Sequence, residues 1–313
     1  MNFYVLAPAD ISSGGPELAH QMCHEINKNH HQAYMYYNYR DLIGPANVDA
    51  IDKFKKYNTT HVTSHSEADR EENIVIIPEG LADRASWFTH ATIVLWWMSV
   101  DNYYRDNVNT DIIALDKVVS LHLTQSFYAD THLMENGVPK SKILTVSDYI
   151  SDLYGQFILP GEYRKDIVLF NPKKGFDELK PLIEKTTSFE WRPLINLTEE
   201  EMIVLMQMAK VYVDFGNHPG KDRIPREAVL CGCCIITNRR GSAAFYEDIP
   251  ISPDYKIDTD DDSCYETACS LLKNIFNDYQ GHFHAFDHYR EITKSEKSKF
   301  EEDVKRFLAH IVR

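Results

Sequence analysis

The sequence has no apolar run that approaches the roughly 20 residues of a membrane-crossing helix; its best stretch is residues 91–100. A membrane-spanning protein is therefore not expected. Positive charge is also short. Lysine and arginine number 33 against 47 aspartates and glutamates, a net charge of −14, and a surface of that sign is a poor partner for nucleic acid or anionic lipid. The opening residues lack the basic and long apolar segments of a secretory signal, so the expected compartment is the cytoplasm. Six cysteines show no paired pairs of the kind that hold zinc. Cys231, Cys233 and Cys234 read as small buried side chains around a helix stop and the strand after it. Internal repeats and low-complexity tracts are absent.

What remains is a chain of 313 residues with 43% hydrophobic and 26% charged side chains, long enough for two globular domains that each bury a core. The most informative stretch is 212–238. An apolar run at 211–215 reads as a strand, and a loop at 216–223 follows with two glycines, a proline, a histidine and several charges. Pro225 suits the first position of a helix, and Gly232 suits the left-handed residue that stops it. Residues 233–237 read as the next buried strand. In a parallel α/β sheet, ligands bind beyond the carboxyl ends of the strands, where this loop would lie. Amides at the helix start, with Lys221, Arg223 and Arg226, would make an anion site, and Glu227 beside them could accept hydroxyl hydrogen bonds. His218 and Gly220 belong to the same loop. An anion beside a diol describes a nucleoside diphosphate.

Other segments fit the same plan. Residues 3–7 read as a strand followed by a polar loop at 10–13, with Gly14 and Gly15 opening a helix that runs to 27, a device for close approach to phosphate. Strands are expected at 32–37, 74–78, 92–98, 119–124 and 142–146, and helices at 48–57 and 127–136; the run 92–98 is apolar enough for a central parallel strand. A second sheet starts at 167–170, and Asn171, Lys173, Lys174 and Gly175 follow it directly, placing cations where a leaving diphosphate would need them. A helix at 177–185 and a strand at 189–194 come next. Thr198 and Glu201 form a capping box ahead of a helical stripe. Gly241 and Ser242 are small enough to let backbone approach a phosphate or a base. Ser263 with Glu266 caps another helix, and residues 295–312 form a last one with an apolar face. His122 and His132 read as packed side chains, and Asp260 to Asp262 as a helix-start acid cluster; no metal site is expected.

Glu227, Ala228 and Gly232, with Asn171 to Gly175 and the Gly14–Glu17 helix start, resemble retaining glycosyltransferase family 4. The resemblance implies an α/β fold of the GT-B type, with two Rossmann-like, doubly wound parallel-sheet domains facing a cleft. It implies an acceptor-side domain at 1–155, a nucleotide-sugar-binding domain at 156–290, and a helix at 291–313 crossing back to the first. By the same resemblance Glu227 would hold the donor ribose and Lys173 and Lys174 would stabilise the leaving diphosphate. The family's other glutamate, eight positions earlier, is replaced here by Pro219. Where the family often presents a histidine to the transferred sugar, Ser99 and Asp101 are available, though Asp101 equally suits a helix cap.

The expected activity is thus metal-independent transfer of a sugar, with retention, from a nucleotide-sugar donor to a saccharide or lipid-linked saccharide acceptor. Bacterial capsule or lipopolysaccharide synthesis is the pathway the resemblance implies. No cofactor is expected. Two alternatives stay open: a catalytically silent GT-B module that binds a sugar or a partner glycosyltransferase, and a non-hydrolysing nucleotide-sugar epimerase.

Overall fold

The computed structural model describes residues 1–8, 11, 13–37, 52–57, 59–107 and 111–312. Asp10 and Ser12 of the expected polar loop, and residues 48–51 of the expected helix at 48–57, lie outside them; 52–57 form a 3-10 turn. The chain divides into two units, Met1–Asp148 with Ser298–Arg313, and Tyr149–Lys297.

The first unit is built on strands β1 (Asn2–Leu6), β2 (Gln32–Tyr36), β3 (His61–Val62), β4 (Ile74–Pro78), β5 (Thr92–Trp97), β6 (Leu121–Thr124) and β7 (Ile143–Thr145). They pair in parallel in the order β3-β2-β1-β4-β5-β6-β7 among the described residues. Helices α1 (Gly14–Lys28), α2 (His65–Ala68), α3 (Val100–Asp106), α4 (Ile112–Asp116) and α5 (Phe127–Glu135) connect them. This is a doubly wound sheet whose strand order reverses between β1 and β4. β4 and β5 are almost entirely buried, as their unbroken apolar runs require of central parallel strands. His122 is fully buried, accepting from the Trp97 indole at 3.0 Å on one ring nitrogen and facing Asp116 at 3.2 Å with the other. Burial pulls its pKa down to about 4, so this imidazole packs as a neutral group.

The second unit carries β8 (Lys165–Phe170), β9 (Glu190–Pro193), β10 (Ala209–Asp214) and β11 (Cys234–Thr237), parallel in the order β11-β10-β8-β9. Its helices are α6 (Phe176–Lys185), α7 (Glu199–Met208), α8 (Arg223–Leu230), α9 (Cys264–Asn277), α10 (Tyr279–His284) and α11 (Asp287–Ile311), the last passing on into the first unit. Thr198 and Glu201 close the expected capping box at the start of α7. Gly232 stops α8 at φ +97°, a conformation glycine adopts without strain. Three expectations are corrected. Pro225 is the third residue of α8, which starts at Arg223. Ser263 makes no capping bond with its side chain and is drawn instead to Asp261. The last helix also starts earlier than 295, because buried Tyr289, Arg290 and Thr293 continue its inner face towards the N-terminus. Among the described residues, no helix is long and apolar enough to cross a membrane.

Glu79, directly after β4, is buried at 3% exposure and accepts from the Met98 amide at 2.9 Å, which ties the ends of β4 and β5 together. Burial raises its pKa from 4.5 to about 7, against the opposing pull of hydrogen bonds from Met98 and Asn102, with Asp106 adding to the rise. Because the folded value lies above the unfolded one, the native state binds the proton more tightly. The contribution of Glu79 to stability is complete below about pH 4.5 and is lost as the pH rises through about 7. Denaturant unfolding across this window is expected to show a decline of up to about 3 kcal/mol that the Glu79→Gln variant lacks. Parallel curves for the two proteins would contradict the assignment.

Candidate functional site

In the second unit the strand order turns back at β8, which has β9 on one side and β10 on the other. Loops leaving the carboxyl ends of β8 and β10 therefore meet at a topological switch point, the place where open α/β sheets hold ligands. The β8 loop is a tight turn. The Asn171 side chain accepts from the Lys173 amide at 3.0 Å, and Gly175 sits at φ +65°. A side chain on Gly175 would lie 2.3 Å from the Gly216 backbone, and one on Gly216 would strike Lys174 at 2.4 Å. Glycine at both places lets the two loops touch, and the contact turns Lys174 inward while Lys173 stays exposed.

Lys174 ends among three groups at the end of β10 and in the loop after it. Its ammonium bonds the Asp222 carboxylate and lies 3.5 Å from Asp214 and 3.5 Å from Nδ1 of His218. His218 is fully buried and Nδ1 faces Asp222 Oδ2 at 2.6 Å, while Nε2 stands 3.8 Å from Asp214 and has no hydrogen-bond partner among the described residues. Asp214 accepts from the Tyr212 hydroxyl at 2.9 Å and the Gly216 amide at 3.0 Å. Burial would raise the Asp222 carboxyl, but the hydrogen bond from His218 and the charge of Lys174 outweigh it and hold the group below its ordinary range. Asp222 occupies the N-cap position of α8 without a side-chain capping bond, since its carboxylate is spent on this cluster. Among the described residues, Asp214, His218 and Asp222 also form a group whose donor atoms, all within 4.8 Å of one another, have the types that could hold a metal. In this fold the ammonium of Lys174 is the cation they surround.

Glu227, in the first turns of α8, is 6% exposed and lies 3.5 Å from the Arg223 guanidinium. Buried Tyr212 is raised well above its usual range, by burial first and then by the charges of Asp214, Asp222 and Glu227. Lys221 and Arg226 are engaged elsewhere than in an open anion site. Lys221 lies 2.8 Å from one oxygen of Glu296 on α11, and Arg226, wholly buried, pairs with the other at 2.7 Å. Arg226 also donates to the backbone carbonyls of Lys221 and Asp222, so it shapes the loop from behind. Sequence spacing could not show this, because the partner lies 70 residues away.

The β11 loop completes the arrangement. Ser242 donates its amide to the His218 carbonyl at 2.8 Å and its hydroxyl to the Gly220 carbonyl at 2.6 Å. Asn238 spans the Phe215 and Gly216 carbonyls, both at 2.8 Å. Gly241 sits at φ +55°, and a Cβ there would fall 2.0 Å from the His218 carbonyl oxygen. Gly241→Ala is expected to cost about 2 kcal/mol or more of stability, since strained backbone and a backbone clash add. An unfolding midpoint equal to that of the parent protein would refute this packing.

The remaining candidates lie in the first unit. Gly14 and Gly15 begin α1, with Gly15 backed by the Met98 side chain. Glu17, one turn in, is buried and held by Lys56 at 2.9 Å, Lys53 at 3.1 Å and the Tyr57 hydroxyl at 2.9 Å, a clamp no motif announced. Ser99 caps α3 by accepting from the Asn102 amide at 3.3 Å. Asp101 therefore does not cap; its charge faces Tyr128.

No family model matches this chain, and no curated protein matches it by sequence. Solved structures do resemble it in fold. Anabaena HepE in complex with UDP and glucose superimposes with a TM-score of 0.70 at 10% identity, over 99% of this chain and 100% of that one. Sucrose-phosphate synthase from Thermosynechococcus elongatus gives 0.66 at 11% identity over 99% of each chain. The trehalose-6-phosphate synthase OtsA gives 0.60 at 8% identity over 100% and 99%. With its two parallel sheets, the chain has the GT-B fold of these glycosyltransferase structures.

Proposed function

We propose that the chain transfers a sugar from a nucleoside-diphosphate donor, held by the second unit, to a saccharide or lipid-linked saccharide acceptor. The observation that carries this reading is the ammonium of Lys174, turned by two glycines to the switch point of the sheet, on Asp222 at the start of α8. As a glycosidic bond to a diphosphate breaks, negative charge grows on the leaving group. A fixed cation stabilises that charge more in the transition state than in the ground state. A lysine in that role makes a metal unnecessary for neutralising the diphosphate. In this reading Glu227 takes the ribose hydroxyls, as the resemblance to family 4 implies. HepE, solved with UDP-glucose and alike in fold over 99% of this chain, supports a nucleotide sugar as donor. Retention of configuration and a role in capsule or lipopolysaccharide assembly belong to the same proposal and rest on the resemblance of residues 171–175 and 227–232 to family 4; the cytoplasm is proposed with them because the cysteines are free thiols of the kind a reducing compartment keeps.

A thermal-shift screen with the diphosphates of uridine, guanosine, cytidine and adenosine tests the reading, because a ligand that binds only the native state raises stability with its concentration. One diphosphate is expected to raise the midpoint well above the others. Flat responses to all four at millimolar concentration would end the proposal. Pro219, standing in the site loop where family 4 has a sugar-contacting glutamate, favours a silent binding module as the second reading. Slow release of free diphosphate from the matching nucleotide sugar supports the transferase, and its complete absence supports the module. A new sugar nucleotide formed without acceptor would point to an epimerase.

A further inference from the structure

The end of β10 and the loop after it already seat a cation. The Lys174 ammonium bonds Asp222 and stands 3.5 Å from Asp214 and 3.5 Å from Nδ1 of His218. One donor atom from each of these three residues lies within 4.8 Å of the other two. Ligands about 2.0–2.2 Å from one ion are up to about 4.4 Å apart, so the three can close round a metal with small shifts. Two carboxylates alone would mean little; His218 sets this group apart. Its ring has no exposed surface, and Nε2, without a hydrogen-bond partner among the described residues, faces Asp214 at 3.8 Å. That separation is too long for a hydrogen bond and suits two ligands of one ion. A polar atom buried without a partner costs stability, and a metal would give it one. The other ring nitrogen, Nδ1, meets Asp222 at 2.6 Å, and a histidine that binds metal through one nitrogen is commonly held by a carboxylate on the other.

We infer that Asp214, His218 and Asp222 form a binding site for a divalent transition-metal ion, and that the ion enters it by turning the Lys174 ammonium out. One imidazole nitrogen with carboxylate oxygens suits zinc and its first-row neighbours, whereas magnesium and calcium take oxygen ligands and keep water. The ion and the ammonium draw on the same two carboxylates and repel each other at this range, so each excludes the other. Lys174 can leave: its side chain is 22% exposed, against 2% for Asp214 and none for His218, and its flexible stem carries the ammonium towards solvent while the other groups stay. The lysine thus acts as a built-in competitor that keeps the site closed to metal. The inference concerns these four side chains alone and does not depend on the ligand proposed above for the switch point.

The test is equilibrium titration of the whole chain with zinc, its free concentration set by a competing chelator and nucleotides left out because diphosphates bind zinc themselves. The parent is expected to take up one zinc that His218→Asn, a variant of similar size, does not. Lys174→Ala is expected to bind that zinc about tenfold or more tightly than the parent, since the competing charge is gone. Adding His218→Ala to Lys174→Ala is expected to abolish the gain. Zinc should also raise the unfolding midpoint of Lys174→Ala further than that of the parent, because an ion that binds the native state stabilises it in proportion to its affinity. Magnesium at the same concentration is expected to do neither. If Lys174→Ala folds poorly without metal, recovery of its circular dichroism on addition of zinc serves as the same readout. Zinc uptake equal in the parent and His218→Asn would assign the ion to surface histidines or thiols and overturn the inference. Equal affinity in the parent and Lys174→Ala would overturn the competition. Either result leaves the diphosphate reading standing, and flat responses in the diphosphate screen leave the metal site standing.

Discussion

Lys174→Ala is expected to weaken nucleoside-diphosphate binding by about 100-fold or more, while Lys173→Ala stays within a few-fold of the parent. The two lysines are neighbours of identical chemistry, so the difference comes from geometry alone. Lys173 is exposed, its backbone amide held by Asn171, and it is hydrated and screened; charges of that kind contribute little. Lys174 is turned inward by the Gly175–Gly216 contact and set among Asp214, His218 and Asp222. A buried, charge-assisted hydrogen bond is worth about 1.5–3 kcal/mol, and an ammonium shared between two phosphate oxygens makes more than one. The same substitution removes the cation between two carboxylates, and a stability loss of about 3 kcal/mol is expected with it. Binding is therefore measured by equilibrium titration at a temperature where circular dichroism shows the variant folded. An unchanged dissociation constant for folded Lys174→Ala would place the diphosphate somewhere other than the switch point. A loss in Lys173→Ala instead would mean that the exposed lysine is the one that reaches the ligand.

Much of the fold was legible because it rests on short-range patterns. The apolar run at 74–78 read as a buried strand and that at 92–98 as a central parallel one, and they form β4 and β5 in the middle of the first sheet. Gly232 was readable as a left-handed stop, and Thr198 with Glu201 as a capping box, since each depends on a few adjacent residues. The position of the site loops also followed from local order, because a polar loop after a buried strand has only the sheet's carboxyl edge to occupy. What escaped was long-range. Nothing in the spacing of Lys221 and Arg226 shows that both would turn to Glu296, and nothing around Lys174 shows that Asp214, His218 and Asp222 would enclose it. The residues of the β10 loop are each four apart, a pattern that suggests a helical face in a segment that is not helical there. Charge in a loop reads as availability to a ligand, yet a buried charge is first of all a debt to its partner. For Arg226 that partner came from an element that the expected helix at 295–312 barely included, with Glu296 at its second position.

Glu296→Ala should be the most damaging single substitution in the second unit, with an expected loss of about 3–5 kcal/mol. Arg226 has no exposed surface, and its charge is met by one Glu296 oxygen at 2.7 Å, with two backbone carbonyls of the site loop taking further donors. Removing the carboxylate leaves a guanidinium that cannot lose its proton at any accessible pH and has no room to reach water without moving the loop. Lys221 loses its 2.8 Å partner in the same step but is less buried and can turn outward, so the arginine sets the cost. Glu296→Gln keeps the shape and one acceptor, and is expected to recover roughly half of the loss. The comparison that decides the argument is the double substitution Glu296→Leu with Arg226→Met, which replaces the pair by apolar groups of similar size. If the carboxylate matters because it neutralises a buried charge, the double variant should be more stable than Glu296→Ala, as buried pairs exchanged for packing often are. Its diphosphate affinity should nevertheless fall, because the Arg226 bonds to the Lys221 and Asp222 carbonyls are what hold Asp222 in place to grip Lys174. A double variant as unstable as Glu296→Ala would assign the role of Glu296 to packing rather than charge, and one with parental affinity would free the grip on Lys174 from any dependence on Arg226.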